Sequence, residues 1–411
     1  MKYLTQDLPG IGGRIKETAS DFIVEEIPLY APNGEGAHTF FEIRKSGIST
    51  FEAVKQIARA LGVRPSEISY AGLKDAQAVA CQVLSVEGVP PARLEAVALP
   101  DIQVTWARRH RQKLKIGHLR GNRFTIRIRG VDESSLPACR AILDILCRRG
   151  VPNYYGPQRF GMRGNSAFLG RAILRRDAEA FVRAFVGEAR PGESSRVYEA
   201  RSRFDAGDWE GACGLFPGSM VDERNALQAL IQTGGDFRRA CATVPKRLRV
   251  FLLAAYQSEL FNRVLDVRLQ ALDRVLAGDL AMKHPGHSIF RVEDEATEQP
   301  RAGRFEISPT GPVFGFRMMR PTGWPGELEA AILDEESLDL EAFRVGDGIR
   351  LRGERRSLRF QAHDLEAWYE DGVMLRFWLP PGCYATALLT EVMKASPATE
   401  RTPDVIEITE L

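Results

Sequence analysis

Arg123-Phe124-Thr125-Ile126-Arg127-Ile128-Arg129 alternates apolar and polar residues without a break. Phe124, Ile126 and Ile128 fall on one side, and Arg123, Thr125, Arg127 and Arg129 on the other. This period of two belongs to a half-buried strand of an antiparallel sheet. Its arginines would form a positive stripe on the open face, suited to tracking a phosphate backbone. The strand ends a longer basic block. Between Trp106 and Arg129 lie nine Lys or Arg residues, Arg108 and Arg109 among them, and no acid. Glu327 to Glu341 is the reverse, with seven acids and no base. Runs this one-sided repel themselves unless opposite charge lies across from them. Nucleic acid suits the basic block best, and an acidic protein surface would also serve.

Outward from this strand the chain has an α+β order. Phe22–Ile27 and Thr39–Arg44 are strand-like, joined by Ala31-Pro32-Asn33-Gly34-Glu35-Gly36. Ser49 with Glu52 makes a capping box for a helix through Val54, Ile57, Ala58 and Leu61, stopped by Gly62. Cys81–Val86 is a further strand, and Ser134 to Arg149 a helix ending at Gly150. The middle is mostly helical, its longest element predicted from Lys246 to Ala277. Strands return at Gly348–Leu351 and Val373–Leu379. Strand-rich, helix-rich, strand-rich is the order of a helical domain interrupting an α+β domain whose sheet the C-terminal part completes.

Composition narrows the function. The 411 residues exceed one ordinary core, and 27% charged with 44% hydrophobic residues fits a globular protein. No apolar run approaches the roughly 18 residues of a membrane span, and the N-terminus lacks the apolar stretch of a secretory signal. The six cysteines are scattered without a Cys-x-x-Cys pair, as reduced thiols of a cytoplasmic protein would be. Walker-type, dinucleotide-binding, zinc-protease and nucleophile-elbow patterns are missing, and His284-Pro285-Gly286-His287 has no acid or thiol at metal spacing. The expectation is an activity with no metal and no nucleotide cofactor.

Two stretches stand out chemically. Tyr70-Ala71-Gly72-Leu73-Lys74-Asp75-Ala76-Gln77-Ala78-Val79 presents one carboxylate from a tight loop between apolar segments. Spacing alone makes such an aspartate a solvated acid or turn former more often than a catalyst. Asn153-Tyr154-Tyr155-Gly156-Pro157-Gln158-Arg159-Phe160-Gly161 gathers aromatics that packing alone would also explain.

Six segments, in order, resemble those of the tRNA pseudouridine synthase D (TruD) family. They are Ser20-Asp21-Phe22-Ile23-Val24-Glu25-Glu26; Ala71-Gly72-Leu73-Lys74-Asp75 with Gln82; and Lys113-Leu114-Lys115-Ile116-Gly117 leading to Gly121-Asn122-Arg123-Phe124. The others are Val151 to Gly161, Ser258-Glu259-Leu260-Phe261-Asn262, and Arg376 to Thr386. The resemblance implies a pseudouridine-synthase catalytic domain with a mixed, mainly antiparallel sheet, interrupted by a largely helical insertion domain. Residues 1–154 and 341–411 would form the catalytic domain and 155–340 the insertion. It further implies that Asp75 is the catalytic aspartate, that Phe22, Asn122 and Tyr384 line the uridine pocket, and that tRNA is the substrate, at uridine 13 of the D arm. Two departures from the family pattern touch this set: Ala76 where a basic residue often follows the aspartate, and Tyr384 where Phe is frequent.

That chemistry asks for little machinery. Turning uridine into pseudouridine breaks the N1–C1′ bond, rotates the base and joins C5 to C1′, with no redox change and no net hydrolysis. One carboxylate suffices, as nucleophile at C1′ or base at the C2′ proton. The base must leave its stack, so an aromatic pocket is needed, with a basic surface for the flanking backbone. Phe22 and Tyr384 would supply the first, and Arg108, Arg109, Arg127 and Arg129 the second. The expectation is a monomer acting on tRNA, away from membranes. The alternative is an RNA-binding or RNA-folding protein on the same scaffold without catalysis.

Overall fold

The computed structural model describes residues 2–394. They divide into two compact units, one of Lys2–Asn153 with residues 359–394, the other Tyr154–Leu358.

The first unit is organised by one nine-stranded sheet. Its strands are β1 (Phe22–Pro28), β2 (His38–Ser46), β3 (Ile68–Tyr70), β4 (Val79–Glu87), β5 (Ala98–Leu99), β6 (Ile102–His110), β7 (Leu119–Ile128), β8 (His363–Tyr369) and β9 (Val373–Leu379). They lie in the order β8-β9-β7-β1-β4-β2-β6-β5, with β3 on β4. β1 and β4 pair in parallel and the other pairs are antiparallel, so the sheet is mixed and mainly antiparallel as expected. The C-terminal strands complete it: β9 lies along β7, Leu375 opposite Ile126 and Leu379 opposite Asn122.

Register sorts the side chains. Phe22 lies opposite Ile126 and Glu26 opposite Asn122, so Phe22, Val24 and Glu26 share a face with Asn122, Phe124, Ile126, Phe377 and Leu379. Most of that face is buried, as the alternation in β7 requires. The helix Thr50–Leu61 covers its β2–β4 end, burying Ala53, Val54, Ile57, Ala58 and Leu61 against Phe41, Ile43 and Leu84. The helix starts where its sequence says. Ser49 accepts a hydrogen bond from the Glu52 N–H at 3.2 Å, and Gly62 ends it in the left-handed conformation.

The second unit is largely helical, with a small sheet in the order Ile289–Arg291, Leu280–Lys283, Ile307–Val313, Glu354–Ser357. Two sequence expectations change here. The long helix stops at Arg268 instead of Ala277. The Arg268 guanidinium, bound to both Asp279 oxygens and to the Arg274 carbonyl, folds the chain back on itself. The strand expected at Gly348–Leu351 does not form, because Gly346, Asp347 and Gly348 all have positive φ. Glu354–Ser357 pairs with Ile307–Val313 in its place, within a unit that runs to Leu358. The acidic run is also answered within its unit. Glu329 binds Arg355 at 2.7 Å, and Glu336 binds Arg171 at 2.7 Å and Arg263 at 2.7 Å.

Gly121 tests how tightly β7 and β9 are joined. A Cβ there would lie 2.3 Å from the Leu379 carbonyl oxygen. Gly121→Ala therefore forces the strands apart and lowers stability by about 1–3 kcal/mol, the usual range for overpacking. Chemical denaturation of the purified variant measures it.

Candidate active site

The loop between β3 and β4 carries Asp75 and is tied down on three sides. The Lys74 N–H donates to Thr50 Oγ1 at 2.9 Å, on the helix after β2. Lys74 Nζ reaches Glu26 of β1 at 2.6 Å, and both side chains are almost fully buried. Lys45 Nζ, from β2, donates to the Asp75 carbonyl at 2.8 Å and to the Ile48 carbonyl at 2.6 Å. A loop otherwise free to move is held by strands on either side of it. The Asp75 carboxylate itself stays 42% exposed, open to a ligand.

Asp75 is not a bare solvated acid. Its carboxylate is ion-paired with Lys16, whose side chain is 9% exposed. Lys16 Nζ also sits 4.4 Å from the centre of the Phe22 ring. Lys16 thus joins Asp75 to Phe22, residues that sequence alone linked only through the family likeness. Its own position comes from backbone pairing. Arg14 and Arg129 exchange N–H···O bonds at 2.9 and 2.8 Å just past β7, and Lys16 follows with φ +59°. A lysine with left-handed backbone two residues after an irregular bridge carries no sequence signal.

The remaining site residues divide. Phe22 is buried, its ring edge-on to Phe124 at 6.0 Å, and Phe124 stacks on Phe377 at 5.4 Å. Asn122 lies opposite both Glu26 and Leu379, and its Oδ1 is buried with no hydrogen-bond partner among the described residues. Tyr384 precedes the helix Ala385–Met393 and is 45% exposed, so its ring is not part of the core. It lies five residues beyond Leu379, the partner of Asn122, a reach of at most about 18 Å from that strand end.

The four arginines expected along the RNA backbone fall into two groups. Arg129 binds buried Asp21 through two bonds of 2.7 and 2.9 Å and also meets Asp371; Arg127 meets Glu370 and Asp371. Against the opposing effect of burial, the Arg129 guanidinium and Thr18 hold the Asp21 carboxyl below its ordinary range. Both arginines thus have carboxylate partners within the first unit. Arg108 and Arg109 lie on β6, separated from β7 by β2, β4 and β1, roughly 19 Å at ordinary strand spacing. A block contiguous in sequence is divided across the sheet.

A tRNA pseudouridine synthase D (TruD) family model matches residues 1–392. This chain belongs to the TruD family. A tRNA pseudouridine synthase D from Geobacter sulfurreducens is 48% identical to it over 394 residues, covering 96% of this chain and 97% of that one. One from Anaeromyxobacter dehalogenans is 36% identical over 397 residues, covering 96% and 97%. In structure the chain is similar to the TruD crystal structure from Methanosarcina mazei, with a TM-score of 0.86, 28% identity and 97% of each chain covered. That fold is the mixed-sheet architecture described above. TruD-family membership makes this chain an isomerase of the pseudouridine-synthase class.

Lys16, Glu26, Lys45 and Lys74 were the side chains around this TruD loop that sequence reasoning missed. Glu26 and Lys74 lay inside quoted motifs, but a buried ion pair between a strand and a loop residue 48 positions apart shows no local pattern. Lys45 carries a pH signature. Burial, reinforced by Lys74 and opposed by Asp75, pushes its ammonium down to about 8 from an ordinary 10.5. Between those values the unfolded chain holds a proton that the folded chain has released. Lys45 therefore adds a rise in stability as pH climbs from about 8 to 10.5. Denaturation midpoints across that interval should rise less steeply in Lys45→Met than in the parent.

Proposed function

We propose that this enzyme converts uridine to pseudouridine in tRNA, at uridine 13 of the D arm, with Asp75 as the catalytic group. The observation that carries this is the Asp75 carboxylate itself. It is exposed at the tip of an immobilised loop and paired with Lys16, which lies over the Phe22 ring. A carboxylate held this way meets the demand of the isomerisation, attack at C1′ or removal of the C2′ proton, without a second catalytic side chain. The reaction consumes no electrons and no water, so no cofactor is required. The relatives named tRNA pseudouridine synthase D support tRNA as the substrate. We take the protein to act as a monomer in the cytoplasm, where tRNA is found; among the described residues no helix is long and apolar enough to cross a membrane.

Asn122 supplies base discrimination in this reading. Its unpartnered Oδ1 is an acceptor for the N3–H of uracil, a donor that cytosine lacks at that atom. A buried acceptor left unmatched costs about 1–3 kcal/mol, enough to favour one base over the other. Phe22, once uncovered by Lys16, offers a ring face to the flipped base, and exposed Tyr384 offers a second.

Purified protein incubated with unmodified tRNA, without added cofactor, should form pseudouridine, and a tRNA with cytidine at position 13 should stay unmodified. Asp75→Asn keeps the shape of the loop and removes the reacting oxygen. Turnover falls by several orders of magnitude while tRNA affinity holds. Residual activity within about tenfold of the parent overturns the assignment of Asp75. A non-catalytic RNA-binding role would instead leave no pseudouridine even with the parent chain.

Tyr384→Ala should fold like the parent, because the ring is already exposed. Its single-turnover efficiency should fall about 5- to 150-fold, as expected for losing a base-stacking ring worth about 1–3 kcal/mol. Tyr384→Phe should remain near the parent. Parental efficiency in the alanine variant removes Tyr384 from the pocket.

A further inference from the structure

A concavity of about 670 Å³ lies beside the Asp75 loop, in the same compact unit. Two elements and a loop form it. The helix Thr50–Leu61 contributes Phe51 and Lys55, one turn apart on one face. β3 contributes Tyr70, whose ring meets Phe51 edge-on at 6.1 Å. The segment before β7 contributes Lys113, Lys115 and Ile116.

Its charge is one-sided. Lys55, Lys113 and Lys115 are all exposed, and no carboxylate lines the concavity. Among the described residues none of the three lysines forms an ion pair. This contrasts with Arg127 and Arg129, whose charges are met by Asp21, Glu370 and Asp371. Unanswered lysines around an aromatic wall match an anionic, π-bearing ligand. Single-stranded nucleic acid is the polymer with that pattern, with phosphates for the ammonium groups and a base for the ring.

Location narrows the occupant. Tyr70 begins the loop that carries Asp75 five residues on, so at most about 18 Å of chain separates them. The lysine segment is fastened to the same framework. The Gly117 N–H donates to the Ala71 carbonyl at 2.8 Å, and the Leu114 N–H to Ser85 Oγ at 3.1 Å. A strand whose target base is at Asp75 therefore has its next few nucleotides within reach of the concavity.

We propose that this concavity is a binding subsite for the single-stranded tRNA segment flanking the target uridine. Lys55, Lys113 and Lys115 contact its phosphates, and the Phe51–Tyr70 wall receives a base. The inference rests on the pseudouridine-synthase reading and adds to it where the flanking strand is held.

The test measures affinity for unmodified tRNA as a function of salt in the Asp75→Asn background, where no turnover intervenes. Lys113→Gln with Lys115→Gln should weaken binding and reduce the log K against log salt slope by about 1.4, two single-strand phosphate contacts at roughly 0.7 each. Lys113→Arg with Lys115→Arg keeps the charges and should keep the slope. Both pairs are exposed, and melting curves matching the parent establish that they fold. An unchanged slope in the glutamine pair overturns the proposal and leaves the surface to a different partner, such as an acidic protein. An equal slope loss in the arginine pair overturns it as well, since charge would then not be the recognised feature. Failure of the functional reading is distinguishable: the parent chain would make no pseudouridine, whatever the salt slopes.

Discussion

A buried ion pair, Lys74 with Glu26, is the interaction on which the site depends. It joins the residue immediately before Asp75 to the middle of β1, the strand that also carries Phe22. Two charges with side chains 4% and 1% exposed have given up most of their hydration. Their attraction must replace it, and removing either partner costs about 3–5 kcal/mol because the other is left buried alone. Glu26 is further engaged by the Val83 N–H of β4. One carboxylate thus holds β1, β4 and the loop in a fixed relation, and the exposed Asp75 acquires a defined position without being buried itself.

Around this anchor the neighbouring charges have separate tasks. Lys45 is spent on main-chain carbonyls and fixes the path of the loop. Lys16 is the cation that reaches the Asp75 carboxylate, and it simultaneously covers Phe22. Three lysines near one aspartate would repel one another in water. Here Glu26, Asp75 and backbone oxygens share them out, so each ammonium has its own acceptor. An exposed carboxylate supported by buried, fully engaged partners stays oriented while it remains accessible.

The sheet makes this possible through its connectivity. β1 pairs in parallel with β4 on one side and antiparallel with β7 on the other, which sets Glu26 beside Asn122. β7 in turn receives β9 from the far end of the chain, so the residues following Leu379 emerge next to the Asn122 position. The helical unit, Tyr154–Leu358, occupies the sequence between β7 and β9.

Much of the first unit was legible beforehand. The alternation from Arg123 to Arg129 gave the buried face of β7 because side chains of a strand point to opposite sides in turn. Ser49, Glu52 and Gly62 marked the ends of their helix because capping is a local hydrogen-bonding matter. The strand Val373–Leu379 matched its expected bounds. By contrast, the strand Gly348–Leu351 was lost to a left-handed turn, and the helix past Arg268 to a buried arginine–aspartate pair. Periodicity registers neither. Local pattern and covalent geometry determined which segments became strands and helices and which face each would bury. Only the tertiary structure decided that Arg129 serves Asp21 while Lys16 serves Asp75, because Coulomb attraction and desolvation act through distances that chain order does not encode.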